Sequence, residues 1–511
     1  MKVAVIGSGA AAAGILAGLE RFASGRVEIS MFDVAAPLLA APPGAGDGRL
    51  PRSEMSRIYR RVRAEQGTSF PPPKTHFGQS LSKITVGGRP LLWKSEHRGG
   101  LTNFWGGGMF PFTDREFAGW PVTAAQMDRY YRIIAEKVGV CGEADPLNSY
   151  FSKDYVNRPP LRTSPVIRAL RDTINRNGGN GSQGVMGQYR LVAGASRLAL
   201  ETREAHPRAC VYCGECMLGC PREAIWSAGR EVDRYQAEAI IRTYVVGSVR
   251  YVRNRHVHFE VGGPQHRSPE SAGPFDRIYI AAGCIGSTEI VMRTFGLTQG
   301  PQMLDSAILS FPILYLGGAG GVFGGDDGYF SLCNLSIMGV PQEPSLGAAQ
   351  VSIYPAFDHL WRYYTAEPLW GLMQKMWRLA RWRLMLGRVY LNGAADRKLQ
   401  FELSEDQLHI RPGPRAEISA VSKGFMASLR QATNHAGFHI PAISPLGHGT
   451  SSHYGGTLPY GGPLVDVQSS GRIAPGVYLA DASTFPSLPA ISPTFTIMAN
   501  ACRTAYEGLQ D

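Results

Sequence analysis

The chain opens on two hydrophobic rhythms separated by glycine. Lys2-Val3-Ala4-Val5-Ile6 is a short apolar run of strand length, Gly7-Ser8-Gly9 interrupts it, and the small apolar residues from Ala10 to Leu19 suit a closely packed helix. Val27-Glu28-Ile29-Ser30-Met31-Phe32-Asp33 then returns as a second strand. The predicted layout is strand, glycine turn, helix, strand. Further along, residues 308–316, 329–338 and 349–354 read as strands. After Pro368 the period changes: Leu369, Leu372, Met373, Met376, Trp377, Ala380 and Leu384 recur at helical spacing, with Gln374, Lys375, Arg378 and Arg381 mostly opposite. That predicts a basic amphipathic helix. No run reaches the ~18 apolar residues that a spanning helix needs. The uncharged segment from Val3 to Leu19 is not a secretory leader on this reading, because glycines break what should be one continuous apolar helix. The chain is therefore expected in the cytoplasm.

Composition narrows the class. At roughly 100 to 200 residues per domain, 511 residues allow two to four units or two large interleaved ones. An apolar share of 44% with 18% charged residues excludes a disordered, collagen-like or coiled-coil chain. The 61 glycines exceed the usual ~7% and fit a nucleotide-binding scaffold with many close backbone approaches. Fifty-two basic against 41 acidic residues leave a charge of +11, which favours anionic partners. No nucleic-acid motif accompanies that charge, so nucleic acid is not expected. Arg57, Arg60, Arg61 and Arg63 read as a solvated helix face.

Two motifs carry chemistry. In Gly7-Ser8-Gly9-Ala10-Ala11-Ala12 the first glycine allows the tight turn, the second lets backbone approach a pyrophosphate, and Ala12 allows close helix–strand packing. The helix N-terminus offers free N–H groups to the phosphates, and Asp33 ends the next strand where a ribose hydroxyl would lie. This pattern does not separate FAD from NAD. Cys210, Cys213, Cys216 and Cys220, followed by Pro221, form C-x2-C-x2-C-x3-C-P, the spacing of ferredoxin cluster loops. Zinc sites usually pair two knuckles over a longer interval. A reduced structural thiol knot is the competing reading, since in ferredoxins the fourth cysteine serves a second cluster and no second run exists here.

Near the carboxyl end the chain runs His453-Tyr-Gly-Gly456-Thr457-Leu-Pro-Tyr460-Gly461, then Asp481-Ala482-Ser483-Thr-Phe-Pro486, then Ser492-Pro493-Thr494-Phe-Thr496-Ile-Met-Ala499. In order and spacing this resembles the glucose-methanol-choline (GMC) flavin oxidoreductases, with H-x-x-G-T, D-x-S-x-x-P and N-P-T-x-T-x-x-A. Gly99-Gly100-Leu101-Thr102-Asn103 is similar to the family's flavin-contacting turn, and Ala281-Ala282-Gly283 with Ser287 and Thr288 to its second nucleotide-side strand. The cysteine run matches a segment found in a bacterial branch of the family.

The resemblance implies an α/β fold: an FAD-binding Rossmann-like domain of GMC/PHBH type, from 1–115, 195–300 and 440–511. It also implies an interleaved α+β substrate domain with an antiparallel sheet, from 116–194 and 301–439. It implies hydride transfer from an alcohol carbon to flavin N5, with His453 removing the hydroxyl proton. An imidazole suits that task near neutrality. His448 also precedes a Gly-Thr pair, but at the wrong spacing. Ser492 stands where the family has a second active-site Asn or His, and Tyr460 where Met is usual. Phe104 stands where some relatives attach flavin through histidine, so non-covalent FAD is expected. Gly7, Gly9, Ala12, Asp33, Gly100, Thr102, Asn103, Gly283, Asp481, Ala482, Pro493 and Thr494 are the expected cofactor residues. An iron–sulfur cluster on the four cysteines would pass electrons to an acceptor protein or quinone.

The expected substrate is a secondary hydroxyl of a carbohydrate or glycoside, by analogy with relatives that carry the cysteine segment. The alternatives are a long-chain, sterol-like or lipid-linked alcohol, or a flavin and iron–sulfur electron carrier without its own alcohol substrate. The stretch 361–388 leaves two placements open. Its helix packs on the protein, or it lies peripherally on the inner face of a membrane with Trp361, Trp370, Trp377 and Trp382 at headgroup depth.

Overall fold

The opening pattern folds as predicted, into β1 (Lys2–Ile6), α1 (Ala10–Phe22) and β2 (Glu28–Asp33). The computed structural model describes residues 1–34, 82–86, 89–151, 155–178, 188–214, 216, 220, 222–262, 267–317, 329–343, 346–356, 377, 380–392, 398–404, 407–413, 420–434, 436–441, 443–445 and 451–511. The arginine cluster at Arg57, Arg60, Arg61 and Arg63, His448, Trp361, Trp370 and most of the predicted basic helix lie outside these residues. The chain continues through α2 (Ala124–Val138), α3 (Pro165–Asn177), β3 (Tyr189–Ala195), α4 (Ala228–Ala237), β4 (Ile241–Val245), β5 (Arg277–Ile280) and α5 (Gly283–Phe295). There follow β6 (Ala307–Tyr315), β7 (Leu335–Pro341), β8 (Ala349–Pro355), β9 (Leu384–Leu391), α6 (Ala420–Asn434), β10 (Val477–Leu479) and α7 (Thr494–Gln510).

One sheet draws on the beginning, middle and end of the chain. Its order is β10-β5-β1-β2-β4, all parallel, with Arg472–Ala474 added antiparallel at one edge. Buried on both faces, β1 sends Val3 and Val5 towards α1 and α7, and Ala4 and Ile6 towards a small sheet that includes Val252, Val257 and Phe259. Helices α1 and α7 touch closely because Gly14 faces the backbone of α7: a Cβ there would lie 2.2 Å from the Met498 carbonyl oxygen.

A second sheet is antiparallel, in the order Phe438–His439, β6, β9, β8, β7, β3. Alternation assigns its faces. Phe311, Ile337, Val351, Ile353 and Val389 bury against Ile167 and Leu170 of α3 and Phe425 and Leu429 of α6. The mixture of parallel and antiparallel sheets is the α/β architecture expected.

Two sequence expectations change here. The strand predicted over 329–338 starts only at Leu335, because the Asn334 amide donates to the carbonyls of Phe330 (2.8 Å) and Leu332 (2.7 Å) and holds a turn. Leu384 and Arg388, read as part of a basic helical stretch, stand on β9. Alternating burial and pairing with both β6 and β8 override the helical period there. Trp377 is only 3% exposed, and the Arg381 guanidinium lies 4.3 Å from the Trp382 ring centroid. Among the described residues, no helix is long and apolar enough to cross a membrane.

Candidate active site

A cavity of about 500 Å³ opens where the carboxyl ends of β1, β2 and β5 face the antiparallel sheet. At one end lie Gly7, Ser8 and Gly9, with Asp33 closing β2 and Ala281 to Gly286 entering α5. Gly7 has φ +101°, and a Cβ there would sit 2.5 Å from the Ala281 carbonyl oxygen. Only glycine makes that turn. The loop is braced from behind, where the Gly99 N–H donates to the Ser8 hydroxyl at 2.9 Å.

Helix capping separates this end of the molecule from the rest. The N-termini of α2, α3 and α4 are closed by the side chains of Thr123, Ser164 and Ser227. Those of α1, α5 and α7 begin at Gly9, Ala282 and Pro493 with no side-chain cap, and all three of these residues line the cavity. Three helix starts with positive dipole ends thus converge on one space, and at α5 the first N–H, that of Gly283, is met by the Asp481 carboxylate. Such an arrangement suits a phosphate-bearing, partly anionic group.

Asp481 fixes the junction between the halves. Its carboxylate accepts from the Ser287 hydroxyl (2.5 Å), the Ser483 hydroxyl (2.6 Å) and the Ser483 N–H (3.0 Å), while burial raises its pKa. Thr102 is similarly engaged, donating to the Gly99 carbonyl at 2.6 Å and accepting from the Ala228 N–H at 3.0 Å.

The other end of the cavity holds His453. Its backbone is anchored rather than mobile: its N–H donates to the Ser451 hydroxyl at 2.9 Å, and that hydroxyl donates to Asp305 at 2.6 Å. Between them Ser452 takes φ 56°, a left-handed conformation that non-glycine residues rarely adopt, next to the proposed base. The imidazole stacks on Tyr390 with centroids 4.8 Å apart at 23°. Its Nδ1 is buried without a hydrogen-bond partner. Burial, and then the positive charge of Arg388, lower its pKa from 6.5 to about 4. The ring is therefore neutral at physiological pH, the state that accepts a proton.

Most expected residues gather here. His453, Ser492, Gly7, Gly9, Asp33, Gly100, Thr102, Gly283, Asp481, Ala482, Pro493 and Thr494 all line the one cavity. Ala12 and Asn103 do not line it. Ala12 is packed in the core under α1, and Asn103 links the Arg98 carbonyl (2.8 Å) to the Ser227 hydroxyl (2.6 Å) behind the turn. Sequence reading missed Tyr354, Leu386, Arg388 and Tyr390, which the antiparallel sheet presents to the cavity. The alternation of Leu384 to Leu391 was the available signal, masked by the helical period before it.

The cysteines form a separate group. Cys210, Cys216 and Cys220 pack with Tyr212, Ile225 and Phe330, and burial, then the neighbouring cysteine sulfurs, raise the pKa of Cys210. Among the described residues, no group of three or more His, Cys, Asp or Glu side chains is placed to hold a metal. The expected cluster thus lacks a gathered donor set among the described residues. The same apolar group includes Trp105, Leu332 and Tyr354, which also line the cavity.

No family model matches the chain, and no curated protein matches it. Solved structures do. An FAD-dependent oxidoreductase from Chaetomium thermophilum superposes with a TM-score of 0.57 at 12% identity, over 98% of this chain and 98% of that one. Pyridoxine 4-oxidase from Mesorbium loti superposes with a TM-score of 0.52 at 15% identity, over 99% of this chain and 98% of that one. At such identities the likeness establishes a shared fold, that of FAD-dependent oxidoreductases.

Proposed function

We propose that the protein is an FAD-dependent oxidoreductase of the GMC type, acting on a CH–OH donor. One observation carries the reading: a single cavity joins three helix starts to a buried, neutral histidine. Gly7, Gly9 and the start of α1 would receive the pyrophosphate, Asp33 a ribose, and the starts of α5 and α7 the flavin end. When bound, FAD supplies the acceptor for the hydride that leaves the alcohol carbon. His453 takes the hydroxyl proton as that hydride departs, so one proton and one hydride, which carries both electrons, leave the carbinol and a carbonyl remains. Ser492, held by its N–H to the Gln350 side chain at 3.0 Å, would orient the substrate hydroxyl with a shorter side chain than the family uses.

A secondary hydroxyl of a carbohydrate or glycoside is the substrate in this reading, supported by the cysteine segment alone. A substrate screen that follows anaerobic bleaching of the flavin spectrum tests it, with sugars and glycosides first and lipid alcohols next. His453→Ala separates an alcohol oxidoreductase from an electron carrier. It should cut substrate-driven bleaching by roughly 10² to 10⁴-fold and leave reduction by dithionite intact. A variant bleached by substrate as fast as the parent refutes the assignment. Iron and sulfide content of anaerobically purified protein, with Cys213→Ser and Cys216→Ser as controls, reads the cluster independently.

A further inference from the structure

Backbone contacts fix where the side chain of His453 begins but not how its ring is turned. Its N–H donates to the Ser451 hydroxyl at 2.9 Å, and its carbonyl accepts from the Ser306 N–H at 3.3 Å. Both bonds leave the side-chain torsions free. In a histidine that handles protons, the hydrogen bond made by one ring nitrogen ordinarily sets the state and direction of the other. Here Nδ1 is buried with no hydrogen-bond partner. What meets the ring is a face: the phenol of Tyr390 lies with its centroid 4.8 Å away and its plane inclined by 23°. Turning the imidazole out of that plane about its Cβ–Cγ bond forfeits the contact between the rings.

Tyr390 is itself held. Its hydroxyl shares a hydrogen bond with that of Tyr354, which stands on the neighbouring strand β8. At its own step in the sheet, Tyr390 is opposite Ile308 of β6 and Gln350 of β8. The buried Gln350 side chain accepts the Ser492 N–H at 3.0 Å, and Asn392, two residues beyond Tyr390, accepts the Ala490 N–H at 3.0 Å. One step of the β8–β9 pair therefore reaches both groups of the proposed reaction. Tyr390 meets the imidazole of His453, and Gln350 holds the backbone of Ser492. Residues opposite one another in an antiparallel pair stand about 5 Å apart, so the two holders are set against each other by the sheet's own hydrogen bonds. A site carried on paired strands keeps its geometry better than one carried on loops alone.

We propose that Tyr390 is the positioning residue of the base: its ring face sets the plane of the His453 imidazole, and its pairing with Gln350 sets that imidazole against Ser492. This rests on the oxidoreductase reading and names what aims its base.

The test uses flavin-loaded protein carrying Tyr390→Leu, Tyr390→Phe or His453→Ala, and Tyr390→Leu combined with His453→Ala. Flavin content and thermal melting of each variant confirm the fold, and Tyr390→Met takes the place of Tyr390→Leu if the latter does not fold. Crystal structures read the ring without any substrate. The imidazole should keep its plane in Tyr390→Phe, and in Tyr390→Leu it should turn by more than about 30° or divide between two orientations. Rates are read by anaerobic flavin bleaching with methyl β-D-glucopyranoside, benzyl alcohol and 1-octanol. With a probe that bleaches the parent, Tyr390→Leu should slow the limiting rate about ten- to a hundred-fold with little change in the half-saturating concentration. Tyr390→Phe, which keeps the ring and loses the hydroxyl, should retain most of the rate. Because the tyrosine acts through the histidine, Tyr390→Leu should cost nothing further once His453 is alanine. An imidazole that stays in place in Tyr390→Leu, an unchanged rate, an equal loss in Tyr390→Phe, or losses that multiply in the double variant overturns the inference. If none of the three probes bleaches the parent, the crystal structures alone decide it. A parent that takes up no FAD, or His453→Ala protein bleached as fast as the parent, refutes the oxidoreductase reading instead, so the two failures are told apart.

Discussion

At the scale of single residues, the proposed chemistry turns on how His453 is held. Folded, the imidazole binds a proton only near pH 4, whereas in the unfolded chain it does so near its ordinary 6.5. Between these values the unfolded chain binds more protons, so stability falls as the solution is acidified through that window. Above 6.5 the site carries no such penalty. The full difference amounts to about 3 kcal/mol, and His453→Gln should flatten this part of the stability profile measured by denaturant titration against pH. With His453 as the proposed base, the same shift should set the acidic limb of kcat/KM well below 6.5. Arg388→Met should move that limb upward, though not to 6.5, because burial is the larger cause and stays. A limb that stays put in the variant would show that the guanidinium does not reach the base.

At the scale of elements, the helices divide by how they begin. At α2, α3 and α4, where no ligand is proposed, side chains close the N-terminus, and on α2 Thr123 and Gln126 form a capping box. Thr123→Ala should therefore lower stability by about 1 kcal/mol without changing flavin affinity, as read by chemical denaturation and FAD titration. The opposite signature is expected at α1. Gly7→Ala puts a methyl group against the Ala281 carbonyl in a backbone conformation that alanine rarely adopts, in the loop proposed for the pyrophosphate. It should abolish retention of FAD on gel filtration. Gly14→Val should instead separate α1 from α7 and lower the melting temperature, since its Cβ has no room beside Met498. The β9 strand carries a further lesson. Its residues alternate, but they follow a run with helical period, and only pairing with β6 and β8 decides between the two.

At the scale of the whole molecule, the cavity is bounded by segments from both ends and the middle of the chain, so a bound cofactor would tie them together. A ligand that binds the folded state alone at 100 times its dissociation constant adds about 2.7 kcal/mol. Added FAD should accordingly raise the melting temperature of flavin-stripped protein, and an unchanged melting curve would refute the cofactor assignment. The strand, Gly7 turn, helix and Asp33-ending strand were legible in the sequence because they are local: a tight turn, an adjacent helix start and the end of the next strand lie within one short stretch. His453, Asp481 and Pro493 were singled out only through the resemblance of their order and spacing to the GMC family's carboxyl-terminal signature. What the sequence could not determine is which side chains face them. Asn103 sits in the right segment yet turns away to hold a loop, while Tyr354, Arg388 and Tyr390 arrive from strands with no motif of their own. Those choices depend on strand register and on which face of a sheet meets the helices. A one-residue slip would reverse every side chain on β9, so only the packing of Val389 and its neighbours against α3 and α6 turns Arg388 towards the histidine.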